Sequence, residues 1–309
     1  MNKVSILMST YNGERYIEEQ LKSIFNQNYT DFQLVIRDDG SSDDTVSIIE
    51  KFIEDYPSKI ILYRGENIGV KRSFWELIQN APNSSYFAFC DQDDIWPTNK
   101  LYNAILKLEN YPLIPSCYFS NGKLVDNNLN SLHRNIYKRY SNIQRIFEKF
   151  ENIICYVGAV GCTMVFNNIL RNYILNKDFP KGMIMHDVFL LSVCASIDGK
   201  IIYDESENIY YRQHSSNTIG CKPGLLNALK YRITYLFEKK DSSIKKQAIY
   251  ILNEFDNQLS ENKKEFLKLV SKYTDSIFYT LKLSFNKSLT FSDWKTELFI
   301  RLTILFGKR

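Results

Sequence analysis

Near the end of its first third, the chain of 309 residues contains the run Tyr86-Phe87-Ala88-Phe89-Cys90-Asp91-Gln92-Asp93-Asp94-Ile95-Trp96-Pro97. Its first five residues are typical of a short buried strand, and three aspartates follow within four positions. Pro97 suits the first turn of a following helix. A strand, a polar turn and a helix in this order predict one βα unit of an open sheet.

The same alternation precedes this run. Short β-rich stretches are predicted at residues 4–9, 32–37, 60–63 and 86–90. Amphipathic helical patterns are predicted at residues 14–26, 44–55, 70–80 and 98–110. Strands that alternate with helices of this length predict an α/β fold with a mostly parallel sheet.

After residue 115 the predicted secondary structure is first mainly β and then mainly helical. Further β-like pieces are predicted at residues 117–120, 161–166, 200–203 and 209–212, with a helix beginning near Asp187. After about residue 222 the pattern becomes long helices rich in Leu, Ile, Tyr and Lys. We therefore expect one α/β domain over residues 1–220, with halves at about 1–115 and 116–220, and a helical extension over residues 221–309.

Polar residues follow each of the first four predicted strands. They occupy residues 9–13, 38–43, 67–69 and 91–94. In open α/β sheets, ligands bind outside the carboxyl ends of the strands. The sequence therefore predicts that these four turns line a single crevice.

The aspartates Asp91, Asp93 and Asp94 predict a metal site in that crevice. Three carboxylates so close together repel one another unless a cation neutralises them. Hard divalent ions such as Mg²⁺ or Mn²⁺ favour carboxylates together with substrate phosphates. Capping of the next helix is the structural alternative, but it needs one aspartate and leaves two unexplained.

A second acidic pair, Asp38 and Asp39, ends the second predicted strand. Gly40 permits a turn there, and Ser42 or Asp43 can cap the next helix. Neither role explains the pair itself. A carboxylate at this position can accept a hydrogen bond from a uracil or thymine N3–H or from a ribose hydroxyl.

Together, three motifs resemble the family-2 glycosyltransferases, and more closely the bacterial rhamnosyltransferases that build cell-wall and capsular polysaccharides. They are Met8-Ser9-Thr10-Tyr11-Asn12, Asp38-Asp39-Gly40-Ser41-Ser42-Asp43 and Asp91-Gln92-Asp93-Asp94-Ile95-Trp96. The resemblance covers about residues 1–215. It implies the GT-A fold, a nucleotide-diphosphate sugar as donor and dependence on Mg²⁺ or Mn²⁺.

The resemblance also assigns roles to individual positions. Thr10, Tyr11 and Asp39 would hold the base, and Asp91 would face the ribose. Asp93 would bind the metal with support from Asp94. Four further residues are expected near the donor, namely Asn12, Asp38, Asn67 and Lys71, and Gln92 joins them within the third motif.

The same family needs a general base, and Asp187 in the run Met185-His186-Asp187-Val188 matches it. A positioned carboxylate removes the proton of an acceptor hydroxyl, which is otherwise a poor nucleophile. A single displacement at the anomeric carbon then inverts its configuration. Capping of the following helix is the structural alternative for Asp187, and both roles can hold together.

The run Tyr210-Tyr211-Arg212-Gln213-His214 would lie over the diphosphate in such an enzyme. We expect Arg212 to contact the donor and His214 to complete the metal shell. A purely structural role is the alternative for each of them. The best guess for the donor is dTDP-rhamnose, with a UDP-hexose as the alternative, and the acceptor is a glycan or a lipid-linked saccharide.

Charge is distributed unevenly along the chain. Residues 1–220 contain 22 basic and 26 acidic residues, whereas residues 221–309 contain 17 basic and 9 acidic ones. A basic tail that carries Trp294, Leu298, Leu302 and Leu305 on one helical face suits an anionic lipid surface. Packing within the chain or against a second subunit, as in a homodimer, is the alternative. Nucleic-acid binding is not expected, because the tail contains no recognisable module.

The remaining features narrow the protein class. Six cysteines lie far apart without paired spacing, which indicates core residues in a reducing compartment. No signal peptide or membrane span is apparent, so we expect a cytoplasmic protein, at most associated with the inner face of the membrane. A nucleotidyltransferase would need a glycine-rich basic turn after the first strand, and a non-catalytic nucleotide-sugar-binding protein would lack the base.

Overall fold

The computed structural model describes residues 3–137, 143–155, 158–214, 243–291 and 294–306. The chain divides into two compact units. The first comprises Met1–Tyr137, Ala159–Phe179 and Gly199–Arg212, and the second comprises Lys138–Gly158, Pro180–Asp198 and Gln213–Arg309. The domain boundary expected at residue 220 lies outside the described residues, so that boundary stays a prediction.

The described part of the first unit contains an eight-stranded sheet in the order β3-β2-β1-β4-β7-β5-β6, with β8 paired to β5. The strands are β1 (Val4–Thr10), β2 (Phe32–Asp38), β3 (Ile60–Arg64), β4 (Tyr86–Cys90), β5 (Ser116–Val125), β6 (Ser131–Asn135), β7 (Met164–Asn167) and β8 (Lys200–Arg212). The first four strands are mutually parallel, and β7 is antiparallel to both β4 and β5. The predicted mostly parallel sheet is confirmed.

Five helices belong to this unit among the described residues. They are α1 (Ile17–Phe25), α2 (Thr45–Asp55), α3 (Val70–Asn80), α4 (Lys100–Leu108) and α7 (Asn168–Ile174). The first four follow β1 to β4 in turn, as the alternation of the sequence predicts. Each buries one apolar face; on α4 this face carries Leu101, Ala104, Ile105 and Leu108.

The core between sheet and helices explains the local sequence pattern. All seven residues of β2 are buried, and so are all five residues of β4. Strands that are covered on both faces are near-continuous apolar runs and do not alternate. Gln33 and Arg37 are buried exceptions within β2. Asp38 ends β2 and three aspartates follow β4, which is where the candidate site lies.

One feature of the sheet differs from the sequence-based expectation. Residues 200–203 and 209–212 form one strand, β8, and do not form two separate ones. The pairing of β8 with β5 shifts register near Asn121, which lets the strand continue through the charged residues 204–208. This continuity carries Arg212 to the end of a long strand.

The second unit is helical in its described residues. It contains α5 (Ile143–Phe147), α6 (Phe150–Cys155), α8 (His186–Ser196), α9 (Ser243–Glu254), α10 (Glu261–Lys272), α11 (Ile277–Ser284) and α12 (Trp294–Leu305). All eleven residues of α8 are buried. The predicted C-terminal helices are confirmed for the described residues. None of the described helices is long and apolar enough to cross a bilayer.

Candidate active site

The carboxyl ends of three adjacent parallel strands bring the predicted motifs together. β1 lies between β2 and β4, with Thr10 opposite Asp38 and Met8 opposite Cys90. The turns after these strands therefore leave the sheet side by side. The first, second and third motifs of the sequence share this edge, as the position of ligands in open sheets requires.

The turns after β1 and β2 are joined by side-chain hydrogen bonds. Thr10 Oγ1 donates to Asp38 Oδ1 over 2.9 Å, and the Asp39 N–H donates to the Thr10 carbonyl over 2.8 Å. Ser41 donates to Asp38 from its backbone N–H (2.9 Å) and from its hydroxyl (2.5 Å). Asp38 thus holds the shape of this turn, and the residue is 3% exposed.

Asp39 connects β2 to the start of α3. Its Oδ1 accepts from the Ile68 N–H and its Oδ2 from the Gly69 N–H, both over 2.9 Å. The Arg37 guanidinium also donates to this carboxylate. Gly69 has a φ of 83°, in the region that favours glycine. The side chains of Asn67 and Lys71, on either side of Gly69, are exposed.

Two amide side chains shape the turn after β1. Gln92 accepts from the Tyr11 N–H over 2.9 Å and donates to the Tyr11 carbonyl over 3.0 Å. Asn12 accepts from the Ser42 N–H over 2.9 Å, which connects this turn to the turn after β2. The Tyr11 ring is left 47% exposed, so an aromatic surface lies beside the polar turns.

The acidic turn after β4 contains the candidate metal ligands. Asp91 and Asp93 are half-buried and Asp94 is fully buried. Ligand atoms of Asp91, Asp94 and Cys162 all lie within 4.8 Å of one another. Two carboxylates suit a hard divalent ion, so this donor set fits Mg²⁺ or Mn²⁺. Cys162 is a finding of the structure, because the sequence indicated only a core cysteine.

The electrostatics of this turn favour a cation. Burial raises the pKa of Asp94 well above its ordinary value, and the neighbouring Asp93 and Asp91 raise it further. Burial also raises the pKa of the Cys162 thiol, and the carboxylates of Asp94 and Asp91 add to that shift. The thiol is therefore neutral, and the carboxylates are the groups that gain most from a positive charge.

Arg212 holds the acidic turn from the end of β8. Its N–H donates to Asp94 Oδ1 over 3.0 Å, and its Nε donates to the Asp93 carbonyl over 2.8 Å. Its guanidinium also donates to the Asn127 carbonyl over 2.6 Å and to Glu19 Oε2 over 2.5 Å. The side chain is 1% exposed. The contact of Arg212 with the nucleotide-sugar donor stays a prediction, whereas the structure shows its contacts with protein groups.

A second buried cation, Lys100, was not singled out from the sequence. Its Nζ donates to the Cys162 carbonyl over 2.8 Å and lies 4.8 Å from the centre of the Trp96 ring. Burial lowers its pKa, while the nearby acidic side chains oppose that shift. One signal existed in the sequence, because Lys100 falls on the apolar stripe of α4, four residues before Ala104.

The second unit contains the remaining predicted residues. Asp187 lies in the first turn of α8, is 5% exposed, and its Oδ1 accepts from the Val188 N–H over 2.7 Å. Burial lowers the pKa of the adjacent His186 to about 3, which keeps its imidazole neutral. His214 is half-buried two residues after β8. The assignments of Asp187 as base, and of Asp93 and His214 as metal ligands, stay predictions.

Three comparisons with known proteins are informative. A family model described as "Glycosyl transferase family 2" matches residues 5–173. The dTDP-rhamnosyl transferase RfbG of Shigella flexneri is 31% identical over 307 residues, which cover 90% of this chain and 99% of that protein.

Solved structures share the fold at lower identity. TarS 1–349 of S. aureus in complex with UDP has a TM-score of 0.55 and 20% identity, covering 92% of this chain and 75% of that one. The mannosyltransferase PcManGT of Pyrobaculum calidifontis, in complex with GDP-Man and Mn²⁺, has a TM-score of 0.56 and 14% identity, covering 99% of this chain and 86% of that one.

Proposed function

This chain belongs to glycosyltransferase family 2, and we propose that it moves rhamnose from dTDP-rhamnose to a hydroxyl of a glycan or lipid-linked saccharide. The single observation that carries the choice of donor is the 31% identity to a dTDP-rhamnosyl transferase across 90% of the chain. The acceptor class, in the synthesis of a bacterial surface polysaccharide, is proposed from the resemblance of the sequence motifs to the bacterial rhamnosyltransferases. A UDP-hexose donor is the second candidate, because uracil and thymine present the same N3–H.

The nucleotide lies, in this proposal, over the turns after β1 and β2. The exposed Tyr11 ring offers a surface on which a base can stack. A carboxylate has about four lone-pair sites. Asp39 accepts from Ile68, Gly69 and Arg37, which leaves about one lone-pair site for a base N3–H. Thr10 and Asp38 contribute by holding the turn, while Asn67 and Lys71 stand exposed near the start of α3.

Asp93, Asp94 and His214 are the residues that we propose to hold Mg²⁺ or Mn²⁺. We add Asp91, which the family resemblance assigns to the ribose, because its ligand atom lies within 4.8 Å of that of Asp94. The proximity of the ligand atoms of Asp91 and Asp94 supports this. Burial and then the neighbouring carboxylates raise the pKa of Asp94, and a bound cation would offset both effects by favouring the ionised carboxylate. A bound divalent ion supplies charge neutralisation at the departing nucleoside diphosphate. Arg212 keeps the acidic turn in place through the Asp93 carbonyl, and Lys100 holds the Cys162 carbonyl.

Asp187 is the proposed general base. Its carboxylate accepts the proton of the acceptor hydroxyl as that oxygen forms a bond to the anomeric carbon and the bond to the diphosphate oxygen breaks. The sugar inverts because there is one displacement. The low pKa of His186, about 3, makes its imidazole a weak base and supports the choice of Asp187.

The basic C-terminal part, residues 221–309, is proposed to bring the enzyme to the inner face of the membrane, where a lipid-linked acceptor lies. The excess of basic residues in that part supports the proposal. Residues 221–242 and 307–309 fall outside the described residues.

A donor panel tests the proposed reaction. The full chain is incubated with dTDP-rhamnose, UDP-glucose, UDP-N-acetylglucosamine or GDP-mannose, with Mg²⁺ or Mn²⁺ and a saccharide acceptor, and release of nucleoside diphosphate is measured. We expect fastest release from dTDP-rhamnose. A general base contributes about 10²–10⁴-fold, so Asp187→Asn is expected to lower kcat at least about 100-fold.

The matched control for that variant is Asp55→Asn, which changes an exposed aspartate at the end of α2. It is expected to leave turnover unchanged. Undiminished turnover in Asp187→Asn would remove the base from the mechanism, and faster release from a UDP-hexose would replace the proposed donor.

A further inference from the structure

The helices α11 and α12 form a hairpin that is held together by Arg301. The Ser284 hydroxyl donates to the Arg301 carbonyl over 3.0 Å, and the Arg301 guanidinium donates to the carbonyls of Ser284 (2.5 Å) and Leu289 (2.7 Å). The same guanidinium pairs with Glu297 over 3.0 Å. The two helices are therefore fixed to each other within the second unit. The guanidinium of Arg301 is already occupied by these contacts.

One side of each helix is packed and another side is apolar yet exposed. The packed side includes Leu283 of α11 and Ile300 and Ile304 of α12. The exposed side, which we call the hairpin face, consists of Ile277, Phe278, Leu281, Phe285, Trp294, Leu298 and Phe306. At about 100° per residue, the four members on and next to α11 fall within one arc of roughly 100°. A helix that is apolar on both sides is expected to contact an apolar partner on its exposed side as well.

The exposed phenylalanine and tryptophan side chains are concentrated on this face, whereas the exposed tyrosines lie elsewhere. Among the described residues, every exposed phenylalanine and tryptophan belongs to it: Phe278 is 64% exposed, Phe285 68%, Phe306 50% and Trp294 70%. Of the 19 exposed large hydrophobic residues, seven are on the hairpin face. Single exposed apolar side chains are ordinary, but seven of them on and beside two helices that are joined by hydrogen bonds indicate an interaction surface.

The charge around the hairpin face identifies the kind of partner. Lys282, Lys287 and Lys295 are all exposed, and Lys295 Nζ lies 5.8 Å from the centre of the Trp294 ring. Two acids fall within residues 277–306: Glu297 is paired with Arg301, and Asp293 lies outside the described residues. A second copy of the chain would bring like charges together. An anionic surface with an apolar interior attracts the lysines and also accommodates the aromatic rings.

We propose that the hairpin face inserts into the boundary between headgroups and acyl chains of a bilayer that contains anionic lipids. The lysines reach outward to lipid phosphates, as long cationic side chains do at interfaces. The inference deepens the proposed membrane contact of residues 221–309 and rests on that part of the proposed function. It does not depend on which sugar is transferred.

Tryptophan emission provides the first test on the intact protein. Trp75 and Trp96 are buried, at 3% and 2% exposure, so a solvent-sensitive change in emission comes from Trp294. We expect a blue shift when the full chain meets vesicles of phosphatidylcholine with phosphatidylglycerol, and none with Trp294→Phe. Absence of the shift in the unmodified chain would overturn the proposal.

Flotation with the same vesicles separates the apolar and the charged contributions. The triple variant Phe278→Ser, Phe285→Ser, Trp294→Ser is expected to bind at least about tenfold more weakly, because each buried ring contributes through its apolar area. The triple variant Lys282→Gln, Lys287→Gln, Lys295→Gln is expected to lose its preference for phosphatidylglycerol, at about fivefold per lysine.

The matched control changes equally exposed apolar residues of the first unit, Tyr102→Ser, Leu106→Ser and Leu113→Ser, and should bind vesicles as the unmodified chain does. Sedimentation tests the rival occupant: a dimer that the serine variant converts to a monomer, without vesicle binding by the unmodified chain, would overturn the proposal. Nucleoside diphosphate release with a soluble acceptor is measured alongside, so that failure of the enzyme and failure of membrane binding are told apart.

Discussion

At the scale of single residues, Asp94 carries the greatest electrostatic conflict of the candidate site. It is fully buried, accepts one hydrogen bond from the Arg212 N–H, and lies beside Asp93 and Asp91. Its raised pKa means that the charged carboxylate is disfavoured in the folded chain. Such a conflict is typical of functional sites, where stability is given up for chemistry.

This conflict predicts the pH dependence of stability. The pKa of Asp94 is higher in the folded chain than in the unfolded chain. Its contribution to the free energy of unfolding is therefore fully present below the pKa of the unfolded chain, about 4, and is lost as the pH rises through the pKa of the folded chain. In EDTA, Asp94→Asn is expected to be more stable than the parent. The difference in the free energy of unfolding should grow by about 1–2 kcal/mol between pH 5 and pH 8.

Urea unfolding at the two pH values measures this difference. Asp55→Asn, at an exposed position, serves as the control and should differ from the parent equally at both. If the stability difference between Asp94→Asn and the parent did not change between pH 5 and pH 8, the pKa of Asp94 would not be raised by folding and the prediction would be wrong.

At the scale of elements, the end of β8 decides the shape of the acidic turn. Arg212 joins β8 to the turn after β4, to Glu19 of α1 and to the Asn127 carbonyl between β5 and β6. Its planar guanidinium reaches these acceptors at once, which a lysine ammonium on a flexible stem does not. One side chain therefore positions several elements that are distant in sequence.

We expect Arg212→Lys to lower the free energy of unfolding of the ligand-free protein by about 2–3 kcal/mol, since several buried hydrogen bonds to a charged group are lost. Thermal unfolding measures this. Arg64→Lys is a suitable comparison, because Arg64 also ends a strand but is 56% exposed and pairs with Glu50. That change should stay within about 0.5 kcal/mol. If Arg212→Lys instead left stability intact and weakened donor binding alone, its main role would be contact with the diphosphate.

At the scale of the whole molecule, the first unit gathers at one edge of its sheet the turns proposed to bind the nucleotide and the acidic residues proposed to bind the metal. A ligand that binds only the folded chain stabilises it by about 2.7 kcal/mol at 100 times its Kd. Metal and nucleotide that bind to adjacent carboxylates and turns should therefore stabilise the protein together more than separately.

The expected result is a rise in Tm of about 5 °C with UDP or TDP plus Mn²⁺, and a much smaller rise with either alone. Differential scanning fluorimetry measures it, with GDP as the nucleotide control. The metal-dependent part should vanish in Asp94→Asn. A full shift with nucleotide alone would argue against a metal at Asp91 and Asp94.

Much of this molecule follows from local sequence. The four βα units, the acidic turn after β4 and the helical C-terminal part were all predicted, because apolar periodicity and strand-end polarity extend over only a few residues. The interpretation of residues 204–208 as an interruption was wrong, since tertiary pairing with β5 keeps a charged segment in the strand.

What the sequence by itself determined was the order of strands and helices and the polar character of each strand end. Only the tertiary structure decided the insertion of β7 between β4 and β5, the burial of Lys100 and Arg212, and the grouping of Asp91 and Asp94 with Cys162. The physical reason is distance along the chain: Lys100 meets a carbonyl 62 residues away, and Arg212 meets Asp94 across 118 residues. Local periodicity indicates which face of an element is apolar, but it does not indicate which distant group will form a hydrogen bond with a buried charged side chain.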